Sequence, residues 1–338
     1  MDMKLLEKLC MLNGTSGDEG AVRNAIIEML PNDCSYTIDA LGNLIVEKKG
    51  EIEPENRVAL FAHMDEVGFI VTYINDEGFI YVNSVGGVED SALFSKKITI
   101  NGLIGVAGGK AIHLCSGDEA KKIPAITDMA LDFGFESKEE AEKYISLGDF
   151  GYFKSDFVEF GNDFVKAKAL DDRVGCAVML ELLQKKSKFN YTAVFTVQEE
   201  IGTRGATVSA YTVTPDYAIV VEGTTASDIP DTPDRKKVCK AGEGAVVTFM
   251  DRGTIYNKDL YKKAFQLAKQ NNIPCQTKTV VAGGNDAAAI HKSAGGIKTL
   301  AVSLPCRYIH SSASVCNSKD IESVEKLVNA LLEEFAND

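Results

Sequence analysis

After residue 163 the chain alternates short apolar, β-branched runs with helical segments, and few folds accommodate that rhythm. The pattern predicts a helix over 172–186, strands over 192–197 and 217–221, a helix over 258–271, a strand over 298–304 and a last helix over 320–335. Strands joined by crossover helices make a mostly parallel α/β sheet, because each helix covers one face of the sheet that its strands build. The last helix is the plainest case. Its Ile321, Val324, Leu327, Val328, Leu331 and Leu332 fall on one stripe, which reads as core packing.

The N-terminal part adds to the same layer structure. Leu5, Leu6, Leu9 and Leu12 are spaced for a helix, Asn13 to Gly17 break it, and a second helix runs to Pro31. Strands are expected over 43–47 and 57–61, the second leading into Ala62-His63-Met64-Asp65. From about 68 to 163 the texture changes. Runs over 69–74, 79–85 and 98–106 are separated by Gly, Asn and Asp, with one helix over 136–146 capped by Ser137. The expectation is an α/β catalytic domain, residues 1–68 and 164–338, carrying an inserted β-barrel-like domain, residues 69–163. A chain of 338 residues is long enough for both units.

Charge and cysteine usage exclude several function classes. Asp and Glu total 49 against 36 Lys and Arg, a formal charge of -13, and the basic runs are short, so nucleic acid is not the expected partner. No stretch approaches a membrane span and the first residues hold no uninterrupted apolar segment, which gives a cytoplasmic expectation with no membrane partner. The eight cysteines are scattered without a C-x-x-C pair, so they read as reduced thiols rather than a thiolate metal site.

The chemistry concentrates in polar residues beside the ends of apolar runs, where open α/β sheets bind their ligands. His63 and Asp65 follow one strand, Asp171-Asp172 follow the apolar stretch 165–170, and Glu199-Glu200 follow 194–197. Glu222 follows 218–221, and His310 follows the 298–304 strand after a short loop. Any one of these alone reads as a cap or a solvated turn. Gathered together, so many carboxylates repel one another unless cations offset the charge. Two histidines with several carboxylates suit zinc, cobalt or manganese, and binuclear hydrolases commonly share one bridging carboxylate, for which Asp171 is the candidate. Of the adjacent glutamates one ligates while the other acts as general base. Glu199 is assigned as base and Glu200 as ligand, although spacing alone leaves the reverse order open.

The strings Ala62-His63-Met64-Asp65-Glu66-Val67-Gly68, Ala169-Leu170-Asp171-Asp172-Arg173, Gln198-Glu199-Glu200-Ile201-Gly202 and Pro305-Cys306-Arg307-Tyr308-Ile309-His310-Ser311 occur in that order. With them the chain resembles, along nearly its whole length, the glutamyl aminopeptidase or tetrahedral aminopeptidase family of binuclear metallopeptidases, some of whose members are labelled endoglucanases. The resemblance implies a phosphorylase/hydrolase-like catalytic domain that removes N-terminal residues from short peptides with two divalent metal ions per subunit, zinc or cobalt, with manganese also considered. It implies that His63 and Glu222 ligate separate metals, that Asp171 bridges, that Glu200 and His310 complete the pair, that Glu199 is the base and that Asp65 orients the His63 ring. It further implies a homo-oligomer, a tetrahedral dodecamer with a dimer as the alternative, the inserted domain serving assembly or substrate access.

Two positions depart from the family pattern, Glu222 where aspartate is more frequent and Asn285 where a small residue such as threonine is usual. Asp286 is a candidate for the substrate cleft or for a turn cap, and Arg307 for substrate contact or an ion pair. His113 reads as a surface or interface residue, and His291 as a packing or capping residue. Two other activities compete. Glu222 makes an N-acyl amino acid deacylase conceivable, and the labels of relatives suggest an endoglucanase, which the lack of tryptophan and of an aromatic row disfavours.

Overall fold

The alternation builds an open eight-stranded sheet. The structure, a computed structural model, describes residues 1–337. Helices α1 (Met3–Met11) and α2 (Gly20–Glu28) precede strands β1 (Cys34–Ile38), β2 (Leu44–Lys48) and β3 (Val58–His63). An excursion follows through β4 (Gly68–Ile74), β5 (Ile80–Val85), the single turn α3 (Asp90–Leu93), β6 (Lys97–Ile100), β7 (Leu103–Gly108), β8 (Ala130–Asp132), the turn α4 (Lys138–Ala141) and β9 (Phe150–Phe153). The chain then runs through β10 (Val158–Phe160), β11 (Phe164–Ala167), α5 (Leu170–Gln184), β12 (Tyr191–Thr196), α6 (Arg204–Val213) and β13 (Tyr217–Thr225). It finishes with β14 (Ala245–Val247), α7 (Lys258–Gln270), β15 (Cys275–Thr277), the turn α8 (Ala287–Ile290), β16 (Lys298–Cys306), β17 (Ser314–Asn317) and α9 (Ser318–Ala336).

The large sheet has the order β1-β2-β12-β3-β13-β16-β14-β15. Its centre, β12, β3, β13 and β16, is parallel, and antiparallel pairs flank it. Every residue of β3 is buried, as a strand covered by helices on both faces requires. Helices α1, α5, α7 and α9 pack together as one layer, and α6 with α8 contacts β12 and β16. Among the described residues no helix is long and apolar enough to cross a membrane.

Helix α5 is the pivot of the layer. All residues from Leu170 to Leu180 are buried, including Arg173, whose guanidinium donates to the carbonyls of Leu9, Leu12, Gly14 and Met64 and reaches Glu66. A fully buried cation is tolerated only when its donors are satisfied in this way. The bonds tie α1 and the connection after β3 to the helix that carries Asp171.

The excursion is a closed barrel, β4-β5-β8-β7-β6-β9, with a core of its own around Phe69, Ile98, Leu131 and Phe153. Three details differ from expectation. The run 98–106 is a hairpin rather than one strand, because Asn101 and Gly102 take φ of +49° and +81°, a pair of left-handed residues that forms a tight reversal. The helix expected over 136–146 is only Lys138–Ala141, where Ala141 alone is buried and a longer helix would cover little, although Ser137 caps it at Glu140 N as anticipated. The apolar stretch 165–170 supplies no strand of the large sheet. Its strand β11 pairs with β10 and β17 in a small antiparallel sheet, so Asp171 enters the site from the first turn of α5. Strands β1, β14 and β15 and helix α6 carry no strong periodic signal and went unpredicted.

Candidate metal centre and active site

Five of the expected side chains converge although they come from remote parts of the chain. His63 ends β3, Asp171 lies in the first turn of α5, Glu200 follows β12, Glu222 lies within β13 and His310 lies in the β16–β17 loop. His63 Nε2 is 3.2 Å from Glu222 Oε1 and 3.5 Å from Asp171 Oδ1. His310 Nε2 is 3.3 Å from Glu200 Oε1 and 3.5 Å from Asp171 Oδ2. Asp171 thus offers one oxygen to each of two clusters, His63–Asp171–Glu222 and Asp171–Glu200–His310, each compact enough to hold one cation.

The surroundings aim these groups. Both histidines use Nδ1 on a backbone carbonyl, His63 on Asp65 at 3.0 Å and His310 on Gly87 at 2.9 Å, which leaves both Nε2 atoms facing the shared carboxylate. Gly87 lies between two strands of the barrel, so the barrel segment helps to fix a histidine of the β16–β17 loop. The Asp65 carboxylate is 3.4 Å from His63 Nδ1 but does more elsewhere. It accepts the Glu199 amide at 3.0 Å, the Glu200 amide at 3.1 Å and the Ser16 hydroxyl at 2.6 Å. Asp172 accepts the His63 amide at 3.3 Å and the Gly175 amide at 3.0 Å, fixing the strand end from the helix side.

Electrostatics fit cations here. Burial alone would discharge both imidazoles, yet Glu222, Asp171 and Asp65 hold His63 well above its ordinary pKa, and Asp171 and Glu200 hold His310 up at about 11. Burial and mutual repulsion push Glu199 and Glu222 well above the usual carboxylate range, whereas the two histidines keep Asp171 well below it despite its burial. Asp171 Oδ1 and Glu222 Oε2 are buried without a hydrogen-bond partner. Lone pairs left over on closely spaced carboxylates and neutralisable imidazoles are the donor set of a borderline divalent metal.

The two adjacent glutamates separate by geometry. Glu200 joins the His310 cluster, while the Glu199 carboxylate makes no hydrogen bond or ion pair among the described residues. Both line a cleft of about 210 Å³ together with Asp171, Glu222, Thr224, Lys278 and Asn285.

A family model, M42 glutamyl aminopeptidase, matches residues 42–327. The chain belongs to that aminopeptidase family. A putative aminopeptidase of Acetivibrio thermocellus is 39% identical over 96% of this chain and 96% of its own length. Among solved structures, an aminopeptidase of the archaeon Desulfurococcus kamchatkensis superposes with a TM-score of 0.93 at 32% identity, covering 98% of this chain and 94% of that one. The TET1 peptidase of Pyrococcus horikoshii, which can assemble into a tetrahedron or a large octahedral shell, gives 0.86 at 35% identity, with 97% and 98% covered.

Within this M42 chain two expected cleft residues lie elsewhere. Asp286 is buried beneath the site, bonded to the Thr196 hydroxyl at 2.5 Å and not capping α8, and its neighbour Asn285 is the residue that lines the cleft. Arg307 is held by Asp228 through two bonds of 2.7 Å and covers the Phe164 ring, the ion-pair alternative of the sequence reading. His113 is exposed, and His291 bonds the Ala287 carbonyl through Nδ1 at 2.7 Å. Sequence reasoning missed Ser16, Thr196, Gly87 and Lys278. For the first three no motif signals a contact that only the fold creates, whereas Lys278 in an otherwise polar run offered nothing to single it out.

Proposed function

We propose that the protein is a metal-dependent aminopeptidase that removes N-terminal residues from short peptides, with Glu199 as general base. The observation that carries this reading is the sharing of Asp171 between two histidine–carboxylate clusters beside an unpartnered Glu199. His63, Glu222, Asp171, Glu200 and His310 would hold two divalent cations, zinc or cobalt, with manganese also compatible. Such a pair supplies Lewis acidity, which acidifies a water and polarises the scissile carbonyl.

The chain's own groups do the rest. Glu199 takes a proton from the attacking water as the hydroxyl oxygen bonds to the carbonyl carbon, then returns it to the leaving nitrogen as the C–N bond breaks. Membership of the aminopeptidase family, with aminopeptidase-named relatives, sets aminopeptidase above N-acyl deacylase activity. Asp65 holds the Glu199 and Glu200 amides and backs His63, so one residue aligns base and ligands. By likeness to the Pyrococcus horikoshii relative, the working form is a homo-oligomer.

The test is turnover of aminoacyl chromogenic substrates by protein stripped of metal and reconstituted with zinc, cobalt or manganese. Activity should require metal and fall at least about 1,000-fold in Glu199→Gln, in the range lost with a central catalytic group, while metal binding by calorimetry persists. Equal turnover without metal, or a Glu199→Gln variant of undiminished kcat, overturns the reading.

A further inference from the structure

Asn285 is held in one orientation by its surroundings. It is 5% exposed and stands just ahead of the turn α8. Its Oδ1 accepts the Ala287 amide at 2.9 Å and lies 3.3 Å from the Tyr256 hydroxyl. Only the oxygen end of the side chain can meet the Ala287 N–H, so the carboxamide cannot turn over without leaving that donor bare. Nδ2 therefore points the other way. It has no hydrogen bond among the described residues and is not sealed from solvent, so it opens into the cleft shared with Asp171, Glu199 and Glu222.

The brace behind Asn285 comes from a different segment, the turn that follows β14. Buried Asp251 accepts the Gly253 and Thr254 amides through Oδ1, each at 2.8 Å, and the Tyr256 hydroxyl through Oδ2 at 2.7 Å. Burial and Asp251 hold the Tyr256 hydroxyl well above its ordinary pKa, so it stays protonated. The Arg252 amide donates to the Gly283 carbonyl at 2.9 Å, which ties this turn to the residues just before Asn285. The cleft thus carries a neutral donor whose direction is fixed before any substrate arrives. Pre-set donors of this kind need no reorganisation when a ligand binds.

We propose that Asn285 is a substrate-binding residue whose Nδ2 donates to a main-chain carbonyl oxygen of the bound peptide, with Tyr256 and Asp251 as positioning residues behind it. This rests on the aminopeptidase reading above. A free peptide end brings an α-ammonium, which only donates, and carbonyl oxygens, which only accept, so Nδ2 matches the carbonyls alone. Two of them qualify, that of the first residue, which water attacks, and that of the second. A bond to the first strengthens as charge develops on the oxygen and raises kcat. A bond to the second aids only substrates that possess it.

Asn285→Thr, Asn285→Asp and Asn285→Val separate this role from a structural one. A threonine hydroxyl can accept the Ala287 amide and also donate into the cleft, an ionised aspartate can only accept, and valine does neither. Each variant, at saturating metal, is assayed on an aminoacyl p-nitroanilide, which has only the first carbonyl, and on the matching aminoacyl-glycinamide, which has both. Asn285→Thr should keep most of the activity, while Asn285→Asp and Asn285→Val fall together. A loss of about 100-fold or more in kcat on both substrates, the range of a lost oxyanion donor, assigns the attacked carbonyl. A loss of about 3- to 10-fold in kcat/KM confined to the glycinamide, the range of one ordinary hydrogen bond, assigns the second. Tyr256→Phe should lower activity in the wild type but add nothing in Asn285→Val, since it acts through Asn285. An Asn285→Asp variant as active as Asn285→Thr would mean that only the bond to Ala287 matters, and that result overturns the proposal. So does wild-type kinetics in Asn285→Val. Failure of the wild type itself on both substrates with every metal would instead count against the aminopeptidase reading.

Discussion

Asp65 has His63 and Glu66 as its charged neighbours in sequence and a more crowded set of partners in space. Its carboxylate is fully buried and accepts three donors, from Ser16, Glu199 and Glu200. Burial alone would raise its pKa, but His63, Ser16 and the Glu199 amide hold it below the ordinary value, so it stays an acceptor. In Asp65→Asn an amide nitrogen must face backbone N–H groups, and one of them loses its partner. Supporting contacts of this kind are worth about 10- to 100-fold in metal affinity or activity. The expected outcome is a drop of that size in kcat/KM with weaker metal retention on dialysis and unchanged circular dichroism. Wild-type kinetics would show that the histidine and glutamates need no such support. The spacing His63-x-Asp65 made a pairing of the two legible, but not its larger role. The partners lie 49, 134 and 135 residues away, and no local pattern encodes contacts at that separation.

Elements show the same division between what periodicity encodes and what packing decides. The parallel strands β3, β12, β13 and β16 were readable because burial on both faces demands continuous apolar runs. The hairpin at Asn101-Gly102 was hidden inside such a run, and β14 and β15, three residues each, are too short for a period to register. Glycine 223 belongs to β13 with an ordinary strand backbone, so its lack of a side chain serves proximity rather than conformation. A Cβ there would lie 2.6 Å from Asp171 Oδ1 and 2.7 Å from its Cγ, closer than atoms can approach. The helix turn carrying Asp171 would have to retreat. Gly223→Ala should cost only about 1–3 kcal/mol of stability, the usual overpacking cost, yet lower kcat/KM by about 10-fold or more through the misplaced carboxylate. Urea unfolding and steady-state kinetics on the same preparation separate the two effects. A variant with full activity would mean that Asp171 need not keep its present position against β13.

At the scale of the molecule, both candidate clusters depend on parts that fold as different layers. Asp171 comes with the helical layer through α5, Glu200 and Glu222 with the sheet, and the His310 ring is braced by Gly87 from the barrel segment. The order of motifs announced the site's membership, while its closure around Asp171 required the small β10-β11-β17 sheet, whose residues carry no signal linking them to the chemistry. Such a site couples metal binding to global stability. The acidic side chains that converge here favour unfolding when no cation is bound, since the chain already carries a formal charge of -13 and the cluster concentrates part of it out of water. Ions that bind only the folded chain stabilise it by about 2.7 kcal/mol per site at a free concentration a hundred times the dissociation constant. Two sites so filled give about 5 kcal/mol and a rise in Tm of roughly 5 °C or more for a chain of this size. Differential scanning calorimetry of chelator-stripped protein, titrated with zinc, cobalt or manganese, should show that rise in wild type and equally in Glu199→Gln, because the base is not a ligand. Loss of half the rise in His310→Ala would assign one ion to each cluster. A melting temperature indifferent to metal would deny that these carboxylates gather to hold cations, however closely their oxygens approach.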